Sequence, residues 1–401
     1  MYLSWFADRA NTQIDERRNR VLLALIYIFH FGQLGVFIPY VGIYLDAKGF
    51  SSAQIGTLLA VVSLSRIVGP NMWAHFADKT GQVGEVLRLG CLLAFLSFSS
   101  ILWVEGFIGI TIAFASMMMF WTAVLPQLEV ITSHATERSK GGYGAIRLWG
   151  SIGFIACTLV VGWLLDNFSA QVIVYASIVM LLGLFISSLL VVSRAQQTVT
   201  DTKTQDHALD AHSKMKIWSF GFIVFLLGNT FLQVSFGSFY NFFTLYMRAL
   251  DYSGMQTGVF IGLGVAAEVI IFIYAMRLIK RFGVKSLLVF SVFFTALRWA
   301  LLAVFAEHTS IIVFTQLIHA LSFGLTHAAS VYYLQQTFPK AFQSRAQALY
   351  VSIAFGIGGA SGSYLSGLMW AQGEGALVSF AFAALIAFAS GICMLALPNR
   401  A

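Results

Sequence analysis

Long apolar stretches recur along the whole 401-residue chain, and they constrain its fold more than any other feature. A helix needs about 20 apolar residues to cross the hydrocarbon core of a bilayer. Runs of this kind occur at 21–45, 53–76, 84–104, 107–133, 143–165, 170–192, 217–247, 255–279, 284–306, 309–337, 343–370 and 376–397. Hydrophobic residues make up 58% of the chain and charged residues 10%, so the chain is more apolar than a soluble domain. The sequence therefore predicts an all-α polytopic membrane protein with twelve transmembrane helices.

A polar segment separates the twelve runs into two sets of six. Residues 193–216 are rich in Thr, Asp, Gln and Lys and predict a flexible linker. We therefore expect an N-terminal segment at 1–20, a six-helix bundle at 21–192, the linker at 193–216, a second six-helix bundle at 217–397 and a tail at 398–401. The three cysteines lie far apart in apolar runs without metal or disulfide spacing, so no metal site is predicted.

Basic residues are distributed unevenly between alternate connecting segments. If the N-terminus is cytoplasmic, 19 of the 24 Lys and Arg residues fall in cytoplasmic segments, and only Lys48 and Arg248 fall in outer loops. This asymmetry follows the positive-inside rule and predicts that both termini are cytoplasmic. We expect a multi-pass protein of the bacterial inner membrane, whose net charge of +7 reflects topology. Nothing indicates nucleic acid binding.

The two halves of the chain match each other at an offset of 202 residues. GFSSAQIG at 49–56 aligns with DYSGMQTG at 251–258, Gly35 aligns with Gly237, and Tyr44 with Tyr246. The charged residues Arg66 and Glu268 also correspond. This many matches at one offset indicates a duplication. Parallel six-helix repeats with a binding site between them are an architecture of secondary transporters.

The segment AHFADKTG at 74–81 resembles the loop motif between helices two and three of the major facilitator superfamily. Asp78, Lys79 and Gly81 match this gating motif, Ala74 replaces its first glycine, and Arg281 and Gly283 occupy the repeat positions of Lys79 and Gly81. The resemblance implies alternating access in a single chain, so we expect a monomer. The chain has no GxxxxGK[ST] phosphate loop. We therefore expect no cofactor and an H⁺ gradient as the energy source, with Na⁺ as an open alternative.

Five charged residues lie well inside the predicted helices, away from their ends: Arg66, Glu129, Arg147, Glu268 and Arg298. Each costs ~2.5–3.5 kcal/mol or more at the bilayer centre when isolated. Such residues persist as ion pairs that hold a bundle together, or as a site for solute and protons. Arginine suits a carboxylate because its planar fork donates two parallel hydrogen bonds. A buried glutamate suits proton transfer, because burial and a nearby arginine act on its protonation in opposite directions.

Polar and aromatic residues form single-face stripes on three predicted helices. They are His30, Gln33, Phe37 and Tyr40 on helix one; Asn229, Gln233, Phe236 and Tyr240 on helix seven; and Gln316, His319, Phe323 and His327 on helix ten. The two histidines of helix ten lie ~12 Å apart along the axis of an ideal helix, too far to share a metal. The stripes predict a cavity, although a lone membrane histidine is also typical of packing.

Four segments resemble the 3-phenylpropionic acid transporter family of the superfamily: YGAIRLWGSIGF (143–154), GVAAEVIIF (264–272), LRWA (297–300) and QLIHALSFGLTHAA (316–329). The resemblance implies proton-coupled uptake of an aromatic carboxylate. On this interpretation Arg147 or Arg298 faces the carboxylate. Phe37, Phe154 and Phe236 pack against its ring.

A more distant resemblance is to the oligosaccharide–proton symporters that include lactose permease. In this resemblance Glu129 aligns with an essential acid of the permease, Arg147 with its sugar-contacting arginine and Phe154 with its stacking tryptophan. Arg298 aligns with the permease's helix-nine arginine and His319 with its helix-ten histidine. Glu268 aligns approximately with its helix-eight acid. Ser322 stands in place of the proton-carrying glutamate, and Gln316 and Phe236 replace a Lys–Asp pair, so the permease's proton route does not transfer as a whole.

These arguments give two sets of candidate residues. The substrate-binding candidates are Arg147, Arg298, Glu129, Phe154, His30, Gln33, Gln233, Tyr240 and Gln316. The proton-coupling candidates are Glu268, which we prefer, and His319, His327 and Glu129. The predicted function is import of a small organic solute, best an aromatic carboxylate such as 3-phenylpropionate. A lactose, oligosaccharide or nucleoside symporter and a drug or metabolite facilitator stay open as alternatives. We expect no enzymatic activity, because the serine of GASG at 359–362 fits a close-packed helix face better than a nucleophile.

Overall fold

The computed structural model describes residues 2–136, 142–191 and 217–398. For residues 2–17, 70, 71, 74, 75, 77, 78 and 341, only the backbone is described. The predicted linker, the last three residues of the predicted tail and the basic residues Arg138 and Lys140 therefore lie outside the described residues. Within the described part of the chain, twelve helices are long and apolar enough to cross a membrane, as the sequence predicts.

We number the twelve spans α1 to α12 and mark broken spans a and b. Their bounds are α1 Tyr2–Ala47, α2 Ser52–Thr80, α3 Val83–Ser99, α4a Gly106–Trp121, α4b Val124–Thr136, α5 Gly142–Asn167, α6 Val172–Leu190, α7a Phe220–Ser235, α7b Gly237–Ala249, α8 Gly254–Phe282, α9 Val284–Phe305, α10a Thr309–His319, α10b Thr326–Thr337, α11a Lys340–Tyr350, α11b Gly359–Trp370 and α12 Ala376–Leu395.

Two spans contain π-helical segments. Ala320–Leu325 joins α10a to α10b, and Val351–Gly358 joins α11a to α11b. Such segments are rare, and they occur frequently at functional sites. The first one follows directly after His319, one of the candidate residues, and the second one contains the glycines Gly356 and Gly358.

The residues of the internal repeat are mostly turn and cap residues. Ser51 and Gln54 form reciprocal side chain–backbone hydrogen bonds at the start of α2, with 2.9 Å from the Ser51 amide to Gln54 Oε1. Ser253 and Gln256 form the same capping box at the start of α8, again with 2.9 Å. A capping box satisfies two amides that the first helical turn leaves unpaired. The repeat therefore preserves how equivalent helices begin.

The repeated turns also share a backbone conformation. Gly49 and Asp251, which correspond in the repeat, have positive φ angles of 80° and 62°. Gly81 and Gly283 correspond too, with φ angles of 68° and 79°. A left-handed residue is best accommodated by glycine. Asp251 is one of the few non-glycine residues among the described ones with this conformation, and aspartate tolerates it better than most.

The described residues form two compact units. One unit comprises the described parts of Met1–Phe37, Val68–Thr158 and Gln171–Val199. Its interior includes Phe37, Phe98 and Phe114, whose ring centroids lie 5.2–6.2 Å apart. Gly35 of α1 packs directly against the backbone of Phe154 in α5, and Thr158 donates a hydrogen bond to the Gly35 carbonyl at 3.0 Å. The absence of a side chain at residue 35 thus lets α1 and α5 approach closely.

The other unit comprises the described parts of Ile38–Ile67, Leu159–Ala170 and Thr200–Ala401. Trp299 of α9 lies fully buried within it and donates a hydrogen bond to Ser235 of α7a at 3.1 Å. Phe236 and Phe239 pack against the same indole, with centroids at 5.3 and 5.5 Å. Gly237 packs against the backbone of Gly362 in α11b. This contact is the repeat counterpart of the one made by Gly35.

Candidate functional site: a charge cluster on α8, α9 and α10

Three of the candidate residues form a connected chain of polar contacts. Arg298 on α9 places Nη1 3.0 Å from Nδ1 of His319 on α10a. Nε2 of the same histidine lies 3.7 Å from Oε2 of Glu268 on α8. The second distance is too long for a hydrogen bond but short enough for electrostatic attraction. The structure therefore links the preferred proton-coupling residue to a buried arginine through one imidazole.

The contact with Arg298 determines the hydrogen-bonding role of His319. A guanidinium has only donors, so Nδ1 of His319 must accept. A neutral His319 then carries its hydrogen on Nε2, the nitrogen that faces Glu268. Protonation of His319 on Nδ1 would place two donors against each other. Among these three residues, the carboxylate of Glu268 is thus the group best placed to accept an additional proton.

The side chains that contact Arg298 are neutral, and its Nε has no hydrogen-bond partner among the described residues. It is 0% exposed, and Nη2 donates to Oε1 of Gln316 at 3.3 Å. Its guanidinium carbon lies 4.3 Å from the ring centroids of both Phe239 and Trp299, a geometry that stabilises a cation. Among the described side chains, no carboxylate oxygen lies within ion-pair distance of Arg298. Glu268 therefore balances this charge through His319.

Glycines of neighbouring helices leave room for the cluster. A Cβ atom at Gly324, in the π segment of α10, would lie 3.0 Å from Cγ of Glu268. One at Gly264 of α8 would lie 3.4 Å from Cδ2 of His319. The glutamate is half-buried rather than enclosed. Glu268 thus contacts the cluster and is also accessible to a proton from outside the cluster.

His327, the other histidine of α10, lies apart from these charges. Its ring stacks on Phe323 at 6.0 Å and meets the edge of Phe355 at 6.2 Å. Phe323 in turn stacks on His319 at 5.9 Å. Nδ1 of His327 is buried without a hydrogen-bond partner. Ser322 donates to the carbonyl of Ile318 in its own helix at 3.2 Å, so it contacts neither histidine through a hydrogen bond.

A second group of candidates lies in the other unit. Tyr143 donates a hydrogen bond to Oε1 of Glu129 at 3.1 Å. The guanidinium of Arg147 lies 3.9 Å from the ring centroid of Phe31 and 5.7 Å from that of Tyr27. Glu129 and Arg147 are both half-buried. Tyr143 and Phe31 were not predicted as site residues, because a tyrosine or phenylalanine in an apolar helix gives no sequence signal of such a contact.

Polar groups of α1 adjoin this second group. His30 stacks on Trp121 of α4a, with centroids 4.4 Å apart and planes at 10°. Gln33, one turn further along, has both amide atoms buried without a hydrogen-bond partner. Nδ1 of His30 is unpartnered as well. Buried polar groups are nearly always hydrogen-bonded in folded proteins, so these atoms suit contact with a polar solute group.

The remaining stripe residues differ in accessibility. Phe37 is enclosed by Phe98 and Phe114, and Phe154 is half-buried. Phe236 is 1% exposed and stacks on Tyr240 at 5.3 Å. The following candidates are buried or half-buried in the same unit as Arg298: Gln233, Gln316 and Tyr240.

The predicted gating residues lie at the ends of helices. Lys79 is exposed in the last turn of α2, and Gly81 follows that helix with its positive φ. Arg281 is exposed in the last turn of α8, where its guanidinium lies 5.2 Å from the ring of Phe282, and Gly283 ends that helix. The side chain of Asp78 lies outside the described ones.

The sequence analysis missed Asp166, which ends α5. Its two carboxylate oxygens accept hydrogen bonds from the amides of Gly254 at 2.6 Å and Met255 at 2.9 Å, at the start of α8. A negative charge is favourable at a helix N-terminus and unfavourable at its own helix C-terminus. An aspartate at the C-terminal end of a helix is therefore a signal that its carboxylate contacts a different helix.

A family model for the MFS_1 like family matches residues 21–382, which is most of the chain. The chain belongs to this family of major facilitator transporters. Its relatives are transporters and not enzymes. It is a multi-pass integral protein of the bacterial inner membrane that carries a small-molecule solute.

The proteins to which this chain is similar differ in what they carry. The chain is 26% identical over 341 residues to a probable 3-phenylpropionic acid transporter of Escherichia coli (strain K12), covering 83% of this chain and 86% of that protein. It is 28% identical over 351 residues to the maltose permease of Geobacillus stearothermophilus, covering 84% of each. The crystal structure of a variant of the nucleoside transporter NupG superposes with a TM-score of 0.83 at 17% identity, covering 94% of this chain and 99% of that one. This last similarity establishes the fold alone.

Proposed function

We propose that this protein is a proton-coupled symporter that imports a small aromatic carboxylate, such as 3-phenylpropionate, by alternating access. The Arg298–His319–Glu268 chain carries this proposal. It couples a half-buried carboxylate to a buried cation across one imidazole that cannot itself accept a proton at Nδ1. The likeness to the probable 3-phenylpropionic acid transporter supports the choice of solute.

In this mechanism Glu268 is protonated from one side of the membrane and deprotonated on the other. While Glu268 is ionised, it attracts the Nε2–H group of His319 and offsets the charge of Arg298. When Glu268 is protonated, that offset is lost, and a bound anion becomes the favourable partner for the positive charge in the same unit. Proton binding and anion binding therefore favour each other. We propose that an H⁺ gradient supplies the energy without a bound cofactor and that one chain suffices.

A sugar is the second candidate solute. The maltose permease is 28% identical to this chain. Glu129 with Tyr143, and Arg147 above Phe31, offer paired hydrogen-bonding and aromatic groups that suit a sugar ring. On this alternative, the charge cluster of α8, α9 and α10 still couples protons, and the first unit supplies the recognition.

Uptake by reconstituted protein tests both candidates. Initial rates of labelled 3-phenylpropionate, maltose and uridine uptake are measured in liposomes with and without an inward proton gradient. Protein-free liposomes are the control, because a neutral weak acid crosses lipid unaided. We expect gradient-stimulated uptake of 3-phenylpropionate alone. Stimulated uptake of maltose alone supports the second candidate, and uptake of any solute without stimulation rules out proton coupling.

A further inference from the structure

An arginine on α2 has no part in the contacts described so far. Arg66 lies within the membrane span Ser52–Gly69. Its side chain is exposed, whereas that of Arg298 is completely buried. A charged side chain at such a depth is almost always directed to the protein interior or to a watery space. The face of α2 on which Arg66 lies therefore decides what it can bind.

Arg66 lies on the protein-facing side of α2. Ile55, Leu59 and Val62 precede it by 11, 7 and 4 residues, a spacing that places all four on one helix face. These three apolar residues are 1%, 7% and 4% exposed. The strongly exposed apolar side chains of this stretch lie on the opposite face: Val61, Leu64 and Val68. The exposed side chain of Arg66 therefore lies on the protein-facing side of α2 and not on the side that faces lipid.

Contacts with α11 fix this orientation of α2. The side chain of Ile67 fills the position that a Cβ atom at Gly356 would occupy, and a Cβ atom at Gly359 would lie 4.0 Å from Oγ of Ser63. Ser63 and Ile67 lie about 60° and 100° from Arg66 around the helix, on the same side of it. Since both face α11 within the same unit, the helix surface next to Arg66 packs against protein.

Arg66 belongs to the same unit as the charge cluster of α8, α9 and α10. Among the described side chains, no carboxylate oxygen lies within ion-pair distance of Arg66. With no such partner among the described residues, its guanidinium can donate to the carboxylate of a ligand. By contrast, two donor groups of Arg298 are already used by His319 and Gln316.

We infer that Arg66 binds the carboxylate of the transported solute. This inference rests on the proposed function and names the residue that selects for an anion. A carboxylate fits the planar fork of a guanidinium with two parallel hydrogen bonds. Arg298 then acts as a positioning residue for His319. The ligand class is an apolar monocarboxylate.

Binding measurements with a charged ligand and its neutral isostere test this assignment. Calorimetry on purified protein compares 3-phenylpropionate with 3-phenylpropionamide, which differs by the loss of the charge. For Arg66→Gln we expect the Kd of the acid to rise about 100-fold, the scale of a charge-assisted pair, and the Kd of the amide to change by less than about 3-fold. Arg66→Lys should recover part of the loss, because it keeps the charge but not the fork.

A matched charge-removing variant controls for nonspecific effects. Arg248→Gln removes an exposed arginine at the end of α7b, and it should leave both Kd values unchanged. If Arg66→Gln binds the acid as tightly as the wild type, the assignment is wrong while the proposed solute stands. If the wild type binds maltose or uridine and neither 3-phenylpropionate nor benzoate, the assignment of Arg66 and the proposed solute class are both wrong. If the acid binds through Arg66 but its uptake ignores the proton gradient, only the coupled mechanism is wrong.

Discussion

Nδ1 of His319 lies 3.0 Å from a guanidinium nitrogen of Arg298, and this contact sets the hydrogen-bonding role of the imidazole. Arg298 donates to Nδ1, and the Nε2–H group of a neutral His319 faces the carboxylate of Glu268 across 3.7 Å. The sequence alone lists both His319 and Glu268 as proton-coupling candidates, and the structure suggests a different role for each. His319 links the charge of Arg298 to Glu268, and Glu268 is the residue whose protonation changes.

Replacing Glu268 with glutamine should abolish gradient-driven uptake without abolishing solute binding. The amide cannot accept a proton at neutral pH, so the solute can still exchange across the membrane but cannot be driven by protons. An inward gradient of one pH unit can support about tenfold accumulation when one proton accompanies one solute. In liposomes, Glu268→Gln should show counterflow exchange of labelled 3-phenylpropionate but no stimulation of net uptake.

Glu307→Gln provides the control for this prediction, because Glu307 is exposed at the end of α9. It should behave like the wild type in both assays. Normal gradient stimulation in Glu268→Gln, at wild-type protein levels, would mean that a different group carries the proton and that Glu268 is a structural partner of His319.

Replacing His319 with leucine should destabilise the protein more than replacing it with glutamine. Leucine removes the acceptor for Nη1 of Arg298 and leaves a buried charged donor unpaired, which costs about 1–3 kcal/mol or more. Glutamine retains an acceptor at a similar reach. The temperature of unfolding in detergent, measured by intrinsic tryptophan fluorescence, should fall further for His319→Leu. Equal unfolding temperatures would show that the contact with Arg298 does not hold α9 and α10 together.

Asp166→Ala should loosen the first turn of α8. The carboxylate accepts from the amides of Gly254 and Met255 and lies at the positive end of the helix. Loss of both effects costs about 1–2 kcal/mol. Hydrogen exchange measured by mass spectrometry should become about tenfold faster at these amides.

Asp166→Asn provides an intermediate case, because it keeps one acceptor and removes the charge. Its exchange rate should lie between those of the wild type and Asp166→Ala. Unchanged exchange in both variants would show that the capping box of Ser253 and Gln256 alone holds the turn.

Gly162→Ala should weaken the contact between α5 and α8. A Cβ atom at residue 162 would lie 2.8 Å from both the carbonyl carbon of Gly254 and the hydroxyl of Tyr40, besides colliding with the Gly254 oxygen. Overpacking of this kind costs about 1–3 kcal/mol. We expect a lower unfolding temperature and slower uptake. Gly144→Ala, on the same helix but with no atom within 4 Å of the added Cβ, should be neutral or slightly stabilising. Identical effects of the two variants would argue against close packing at Gly162.

The twelve spans were predictable because the bilayer requires one simple property, apolar length, which composition reveals directly. Broken spans and π segments were not predictable in the same way. The run 309–337 reads as one uninterrupted helix, yet residues Ala320–Leu325 within it are π-helical. Hydropathy averages over such a run and carries no information about the hydrogen-bond register inside it.

The identity of the site residues was partly predictable, but their partnerships were not. A charge inside an apolar run stands out, so Glu268, Arg298 and Arg66 were evident from sequence. Which acceptor faces which donor depends on how the helices rotate about their axes, and single-sequence spacing does not set that rotation between helices. The pairing of Arg298 with His319 and Gln316 therefore emerges only in three dimensions.

The π segment of α10 has a consequence for how this helix tolerates changes of length. A π turn accommodates one residue more than an α turn does, so the helix already contains the equivalent of a single inserted residue. Deleting one residue between Ala320 and Leu325 would therefore convert this wide turn to regular α geometry and leave Thr326–Thr337 close to its present rotation relative to Thr309–His319. The same deletion in a regular α-helical part of α10 would rotate every residue beyond it by about 100°. The π segment is thus the place where this helix can best lose a residue while both histidines keep their faces.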